Sequence, residues 1–285
     1  MKTIIKSIIA ILICGFVLMG YTNRTNVNNT ILIQSVDKSV SSISLKRSVV
    51  IISNRLKALS SEKFVVTAIP EKDQIKVVLG EQHDLNTIVP LLINKGKLEF
   101  YATYNHQRLS ELLNDDNHLF TLLHAENASK TVTWVGFSFI ADIKNVDDYL
   151  KNVKLNGKLK FAWGRPEKDG EVFLYALQLD GRKGASFTRA DIKSANFNQE
   201  NPTLFSIGMK FKELAIPLWA DFTKSNIDNA IAIVLDEKVI CAPVVRSEID
   251  KGNCSITGGF TEAQAKNIAI IINNGELPVS FKVVK

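Results

Sequence analysis

The sequence is poor in the residues that usually carry chemistry. Four histidines and three cysteines are spread over 285 positions. No Gly-x-Ser-x-Gly elbow, His-Glu-x-x-His, Cys-x-x-Cys, Walker loop or Gly-x-Gly-x-x-Gly occurs. The nearest loop, Asp180-Gly-Arg-Lys-Gly184, lacks the Lys-Ser/Thr step and reads as a turn. Three of the histidines, His106, His118 and His124, lie in one stretch with Asp115 and Asp116 nearby, while His83 stands apart. Their spacing matches no zinc-ligand pattern, so a solvated loop is the expectation. The carboxylate pairs Asp115/Asp116 and Asp147/Asp148 are sequence neighbours, and neighbours on a helix point apart, which suits caps or surface better than an acid/base couple. A non-enzymatic protein without metal or cofactor is expected.

A concentrated basic face is also missing. Of the net charge of +6, residues 1–25 supply +3 through Lys2, Lys6 and Arg24, leaving +3 for the remainder. Lysines and acids alternate, as in EKDQIK at 71–76, whereas a nucleic-acid binder clusters its cations. Nucleic acid is therefore excluded as a partner. Long apolar runs are confined to the N-terminus. There, Met-Lys-Thr-Ile-Ile-Lys precedes an almost wholly apolar Ile8 to Tyr21. This fits a secretory signal cut after Thr22, or an uncleaved anchor over residues 4–21, short for the ~20 residues a span needs. A lipid-modified Cys14 is a weaker third reading. All three put the body of the protein outside the cytoplasm, with membrane contact through the N-terminal segment.

With Cys14 in that segment, Cys241 and Cys254 are the candidate disulfide. A chain turn at about 250–252 would set Cys254 opposite Glu248 and leave Cys241 roughly 23 Å further along. Bridged Cα atoms lie within about 7 Å, so two small buried residues are favoured over a bridge.

At 46% hydrophobic and 22% charged the chain has the apolar content of a folded protein. After a polar tether, a strand at 31–36 leads into a helix over 44–59 with Leu45, Val49, Ile52, Leu56 and Leu59 on one face. Strands at 64–69 and 74–79, a helix at 84–94 capped by Asp84 with Pro90 inside it, and a strand at 97–104 follow. That order is the ferredoxin-like plan. Residues 105–202 read as a turn-rich insertion, with strands at 131–139, 159–163 and 172–179 and a helix near 146–153. Trp134, Phe137, Phe139 and Trp163 could line a groove for an unfolded chain, or form the core of a small lobe; the core reading is favoured. From Leu204 the first order returns: a strand at 204–209, a helix near 214–222 with Pro217 in its first turn, a strand at 231–235, and a second strand from 238 through Pro243. Thr261-Glu-Ala-Gln264 is a capping box for a helix with Ala265, Ile268, Ala269 and Ile272 inward, closed by Asn274-Gly275. The expected fold class is α+β: ferredoxin-like antiparallel sheet lobes with helices on one face and a turn-rich middle insertion. Its segments are 1–22 (signal or anchor), 30–104 (base lobe), 105–202 (middle, head-like lobe) and 203–285 (C-terminal lobe).

AIVLD (232–236), KVICAPV (238–244), ITGGF (256–260), EAQAKNIA (262–269) and NNGELP (273–278) then stand in a fairly specific order. This series resembles the large first periplasmic domain of SecD and of the fused SecDF protein-export factor. FTRADIKSA (187–195), ISNRLKAL (52–59) and GKLEFYATY (96–104) extend the resemblance from about residue 43 to the C-terminus, weakest between 105 and 155. The resemblance marks Asp236, Pro243, Gly258, Gly259, Phe260, Gly275 and Pro278 as family-signature structural positions. One departure is Glu237, where the family commonly has a glycine after the turn aspartate; the turn then loses Gly's inexpensive positive φ. The membrane helices that couple proton flow to export are absent from this sequence, so the resemblance implies the externally placed domain rather than a pump. It implies exported or unfolded polypeptides and Sec translocon components as partners. The alternative is a repurposed envelope protein that keeps this periplasmic fold as a ligand-binding or structural subunit.

Overall fold

The computed structural model describes residues 30–37, 39–80, 84–113, 118–125, 133–153, 157–167, 169–180 and 184–284. The N-terminal segment, Cys14, His83, Asp115, Asp116 and residues 181–183 of the Asp180–Gly184 turn lie outside them. Among the described residues no helix is long and apolar enough to cross a membrane.

Along the chain, β1 (Thr30–Ser35) precedes α1 (Ser42–Leu59), which starts where the Ser41 side chain accepts the Ser44 N–H. β2 (Phe64–Ile69) and β3 (Gln74–Leu79) form a hairpin, and α2 (Leu85–Ile93) follows with Asp84 as its cap. Then come β4 (Leu98–Ala102), α3 (His106–Leu112), α4 (His118–Leu122), β5 (Gly136–Phe139), α5 (Ile143–Leu150), β6 (Leu159–Trp163), β7 (Glu171–Gln178) and β8 (Phe187–Thr188). β9 (Ile192–Asn201), β10 (Leu204–Phe211), α6 (Ile216–Ser225), β11 (Ile231–Leu235), β12 (Lys238–Cys241), β13 (Asn253–Thr257), α7 (Glu262–Asn274) and β14 (Phe281–Val283) complete it. α3, α4, β8, β9 and β13 are additions to the sequence reading. β12 stops at Cys241, short of Pro243.

Among the described residues the strands form four antiparallel sheets, in orders β14-β1-β3-β2, β13-β10-β9, β12-β11-β4-β8 and β5-β7-β6. The first has the ferredoxin-like arrangement with one substitution. The strand expected to close it, β4, leaves for the third sheet, and β14 takes its place beside β1. Burial explains the exchange. All five residues of β4 and all five of β11 are buried, so these strands need cover on both faces. β14 exposes Lys282 and Val283, which suits an edge. Likewise the C-terminal strands repeat the element order of the first lobe but divide among three sheets.

Ile33, Leu45, Ile52, Ile75, Val77 and Leu92 centre the core between the first sheet and helices α1 and α2. A second core joins the two sheets of β4–β13 with α6 and α7, around Phe100, Phe187, Phe211 and Trp219. In the middle region, Leu109, Leu119, Val146 and Leu174 pack α3, α4 and α5 on one face of β5-β7-β6. Ala162 and Leu177 pack its other face on Tyr101, Val234 and Val239. The middle lobe is therefore fastened to β4, β11 and β12 through a small core of its own.

Candidate functional site

Strand register separates the four aromatics that sequence grouped. Phe137 pairs with Phe173, while Gly136 and Trp163 both pair with Leu174. Because opposed residues share a face and successive ones alternate, Phe137 and Phe139 stand on one face of the sheet and Trp163 on the other. Trp134 and Phe137 contact Phe173 with ring centroids 5.2 and 5.8 Å apart, and His124 stacks on Phe137 at 4.9 Å. Phe139 is 40% exposed at the end of this ring cluster, next to exposed Ile140. Trp163 instead points toward α5, where its indole N–H donates to Asp147 Oδ1 at 2.8 Å.

Beside Trp163 runs a groove of about 660 Å³. Four of the five residues of β6 line it: Leu159, Lys160, Phe161 and Trp163. These belong to both faces of the strand, so the groove follows its edge. One wall is α5, with Leu150 and Lys151; the other is β4, with Lys97, Glu99 and Tyr101. The floor is apolar and the rim charged. Lys97 Nζ lies 3.0 Å from Glu99 Oε1, and Lys160 Nζ lies 2.6 Å from Glu237 Oε2. Hydrogen bonding from Lys160 holds the Glu237 carboxyl below its usual range. Burial, with Glu99 adding to it, pushes the Tyr101 hydroxyl far up, so it stays protonated and neutral. Nothing here forms a nucleophile–base pair; the arrangement offers apolar contact with polar margins. Glu99 and Tyr101 were missed as site residues, although a glutamate inside the apolar strand LEFYA was a visible signal.

The family-signature positions lie elsewhere and hold the backbone. Asp236 and Glu237 form the two-residue β11–β12 turn with φ of 50° and 66°. The Asp236 carboxylate accepts the N–H groups of Gly96 and Lys97, both at 2.8 Å. Pro243 O accepts the Ile231 N–H, and Gly258 O accepts a hydrogen bond from Arg165. The Arg165 guanidinium lies 4.4 Å above the buried Phe260 ring. Gly259 (φ 62°) precedes the α7 capping box, and Gly275 (φ 86°) ends that helix. Pro278 is half-buried between Leu277 and Val279. Cys241 and Cys254 are free thiols. The turn assumed for them is not the pairing that forms: Cys254 lies opposite Met209 in β10, not Glu248, and Cys241 lies opposite Ile233. Burial raises both thiols, Cys254 to about 12, which keeps them unreactive.

Three arginines that sequence reading passed over do comparable structural work. Arg55 is fully buried, and burial lowers it to about 10 against the opposing pull of Asp236. Its guanidinium donates to four carbonyls, those of Leu91, Asn94, Lys95 and Gly275. Arg189, in FTRADIKSA, donates to the Ile272 and Asn273 carbonyls at the end of α7. Arg165 is described above.

The described residues form an α+β fold of antiparallel sheets and helices with a part-apolar groove along β6. Comparison with known proteins narrows this. Residues 178–279 match the family model for SecDF, P1 head subdomain. The protein translocase subunit SecD of Rickettsia prowazekii (strain Madrid E) is 26% identical over 223 residues, 75% of this chain and 42% of the relative. SecD of Aquifex aeolicus (strain VF5) is 35% identical over 121 residues, 42% of this chain and 23% of the relative. The chain thus spans less than half the length of these relatives. Two solved chains share the fold at 20% identity and 90% coverage of this chain. One, described as "Structure and function of a membrane component SecDF that enhances protein export", has a TM-score of 0.53 and is 98% covered. The other, "Crystal structure of SecDF in Super-membrane-facing form", has a TM-score of 0.56 and is 29% covered. This chain is thus similar to SecD periplasmic domains, and its residues 178–279 to the P1 head subdomain.

Proposed function

We propose that this domain is a non-enzymatic module of protein export that holds exported polypeptides outside the cytoplasmic membrane, tethered by residues 4–21 and working beside the Sec translocon. The observation that carries the reading is the groove along β6. Its apolar floor of Leu150, Leu159 and Phe161 takes side chains of many kinds, and its margin of Lys97, Asp147 and Lys151 carries both charge signs. A client of varied sequence needs such a surface, since apolar contact is non-directional. The translocase role of the SecD relatives supports the same reading.

Site-specific photocrosslinking tests it. Benzoylphenylalanine at position 161 is expected to form adducts with an exported polypeptide arrested during translocation. The same group at Val65, 60% exposed on the first sheet, is expected to form none. No adduct at 161, or equal adducts at both positions, overturns the reading.

A further inference from the structure

The ladder between β6 and β7 fixes which backbone groups of β6 are free. The Leu179 N–H donates to Lys158 O, and the Gly164 N–H donates to Phe173 O. Both pairs continue the β6–β7 register, in which Leu159 faces Gln178 and Trp163 faces Leu174. Bonded pairs recur every second residue in an antiparallel ladder. Lys160 and Ala162 therefore bond to β7, and the N–H and C=O groups of Leu159, Phe161 and Trp163 point away from it. β6 is the last strand of its sheet. Among the described residues, no β-pairing engages Leu159 or Phe161 on the outer side. At its end the strand meets β12: the parallel bridge between Gly164 and Val239 takes up the outward side of Trp163, and the Ala162 side chain packs on Val239.

An open edge of this kind normally carries a guard: a proline, a bulge, a covering element or a charged side chain such as lysine. β6 has neither a proline nor a register shift, and the charge of its lysine, Lys160, is taken up by Glu237. Instead its edge opens into the 660 Å³ groove, whose floor and rim are already suited to a chain. Resting on the reading above, we propose that the groove takes its polypeptide as an added β-strand, bonded through the main chain to Leu159 and Phe161. Alternate side chains of the guest then face the apolar floor and the solvent in turn. Main-chain bonding supplies affinity without demanding a sequence, and the floor selects only for apolar residues at every second position.

The test uses the full chain and three blocked eight-residue peptides of alternating valine and serine. One is unmodified, one is N-methylated on every valine, and one on every serine. Valines seek the floor, which pins the register, so the two methylated peptides differ only in which edge of the guest strand is blocked. Tryptophan fluorescence reads binding. One methylated peptide is expected to bind at least about tenfold more weakly, by loss of its main-chain hydrogen bonds to β6, and the other to bind like the parent. The Phe161→Pro variant removes one outward donor where a proline is tolerated, and with its near-ultraviolet circular dichroism retained it is expected to lose the difference between the two. Equal binding of all three peptides, or equal loss by both methylated ones, overturns strand addition alone. No binding by any peptide overturns it together with the function it rests on.

Discussion

Arg55 and Asp236 grip one loop from opposite chemical sides. The Arg55 guanidinium takes the carbonyls of Asn94 and Lys95, at 2.6 and 3.1 Å, and the Asp236 carboxylate takes the amides of Gly96 and Lys97. A buried cation and an acceptor 181 positions apart in sequence thereby fix the passage from α2 into β4, the strand that leaves the first sheet for the third. Arg55 also bonds Gly275 O, so the end of α7 is tied to the same point.

Arg55→Met is therefore expected to lower stability by about 3–5 kcal/mol, since it leaves several buried carbonyls unpaired at once. Asp236→Ala is expected to cost about 2–3 kcal/mol through two charge-assisted bonds. The double variant should cost less than the sum, because both residues restrain the same four-residue loop. Urea denaturation of the three variants measures this; strict additivity would show that the loop is not shared.

Gly96 sits inside that grip with φ of 88°, and a Cβ there would lie 2.8 Å from Arg55 Nη2 and 2.8 Å from Ile271 Cγ2. Gly96→Ala is expected to destabilise by about 2 kcal/mol or more, from backbone strain of about 1 kcal/mol and the displacement of two packed groups. A melting temperature equal to the parent's would show that the loop relaxes freely.

How far could such relations be read from sequence? The local signals were direct. The Thr261 capping box, the Asp84 cap and the alternating strands depend on neighbours within a few residues, and β6 fell at the residues its pattern indicated. Glu237 at positive φ was legible because the turn of two residues between strands demands it. Strand exchange was not legible. Nothing local to LEFYA says whether β1 or β11 will be its neighbour; that depends on which partner can cover both of its faces. The same long-range term split Trp163 from Phe137, because relative facing is set by register across β7, not by composition. α3 and α4 escaped notice because short helices bury few residues: Leu109 is the one fully covered in α3 and Leu119 in α4.

At Glu237 two effects oppose. A non-glycine residue in the left-handed region costs about 1 kcal/mol, and its carboxylate is offset by Lys160 at 2.6 Å and Lys97 at 3.4 Å. The side chain is more than half exposed, so these pairs contribute little each. Glu237→Gly is expected to be about 1 kcal/mol more stable than Glu237→Ala, a comparison in which both variants lack the ion pairs and differ in φ tolerance. Equal midpoints in urea would remove backbone strain as the reason the family commonly has glycine here.

The same carboxylate sets a pH dependence. Its folded-state pKa is depressed, chiefly by the Lys160 hydrogen bond. The sign follows: a depressed acid stabilises the fold fully above its unfolded value of about 4.3 and loses that contribution as pH falls through the lower folded value. Stability of the parent relative to Glu237→Gln should therefore be constant near neutrality and shrink on acidification below about pH 4. A difference that grows on acidification would mean that Glu237 is held protonated by its surroundings, not charged by Lys160.

At the far end of α7, Asn273 guards another strand edge. Its Oδ1 accepts the Ala195 N–H at 2.8 Å and its Nδ2 donates to Ala195 O at 2.7 Å, so one amide side chain satisfies both outward groups of a β9 residue. β9 is the terminal strand of its sheet, and this contact closes at Ala195 what β6 leaves open along its groove. Asn273→Ala is expected to cost about 1–2 kcal/mol and to speed hydrogen exchange at the Ala195 amide, with slower change at Ile207, buried in the neighbouring strand. Asn273→Asp keeps the acceptor but sets a carboxylate against the Ala195 carbonyl, so it should be at least as damaging as alanine. Unchanged exchange at Ala195 in both variants would show that the amide is protected by the sheet itself, and that the side chain is not what separates the closed edge of β9 from the open edge of β6.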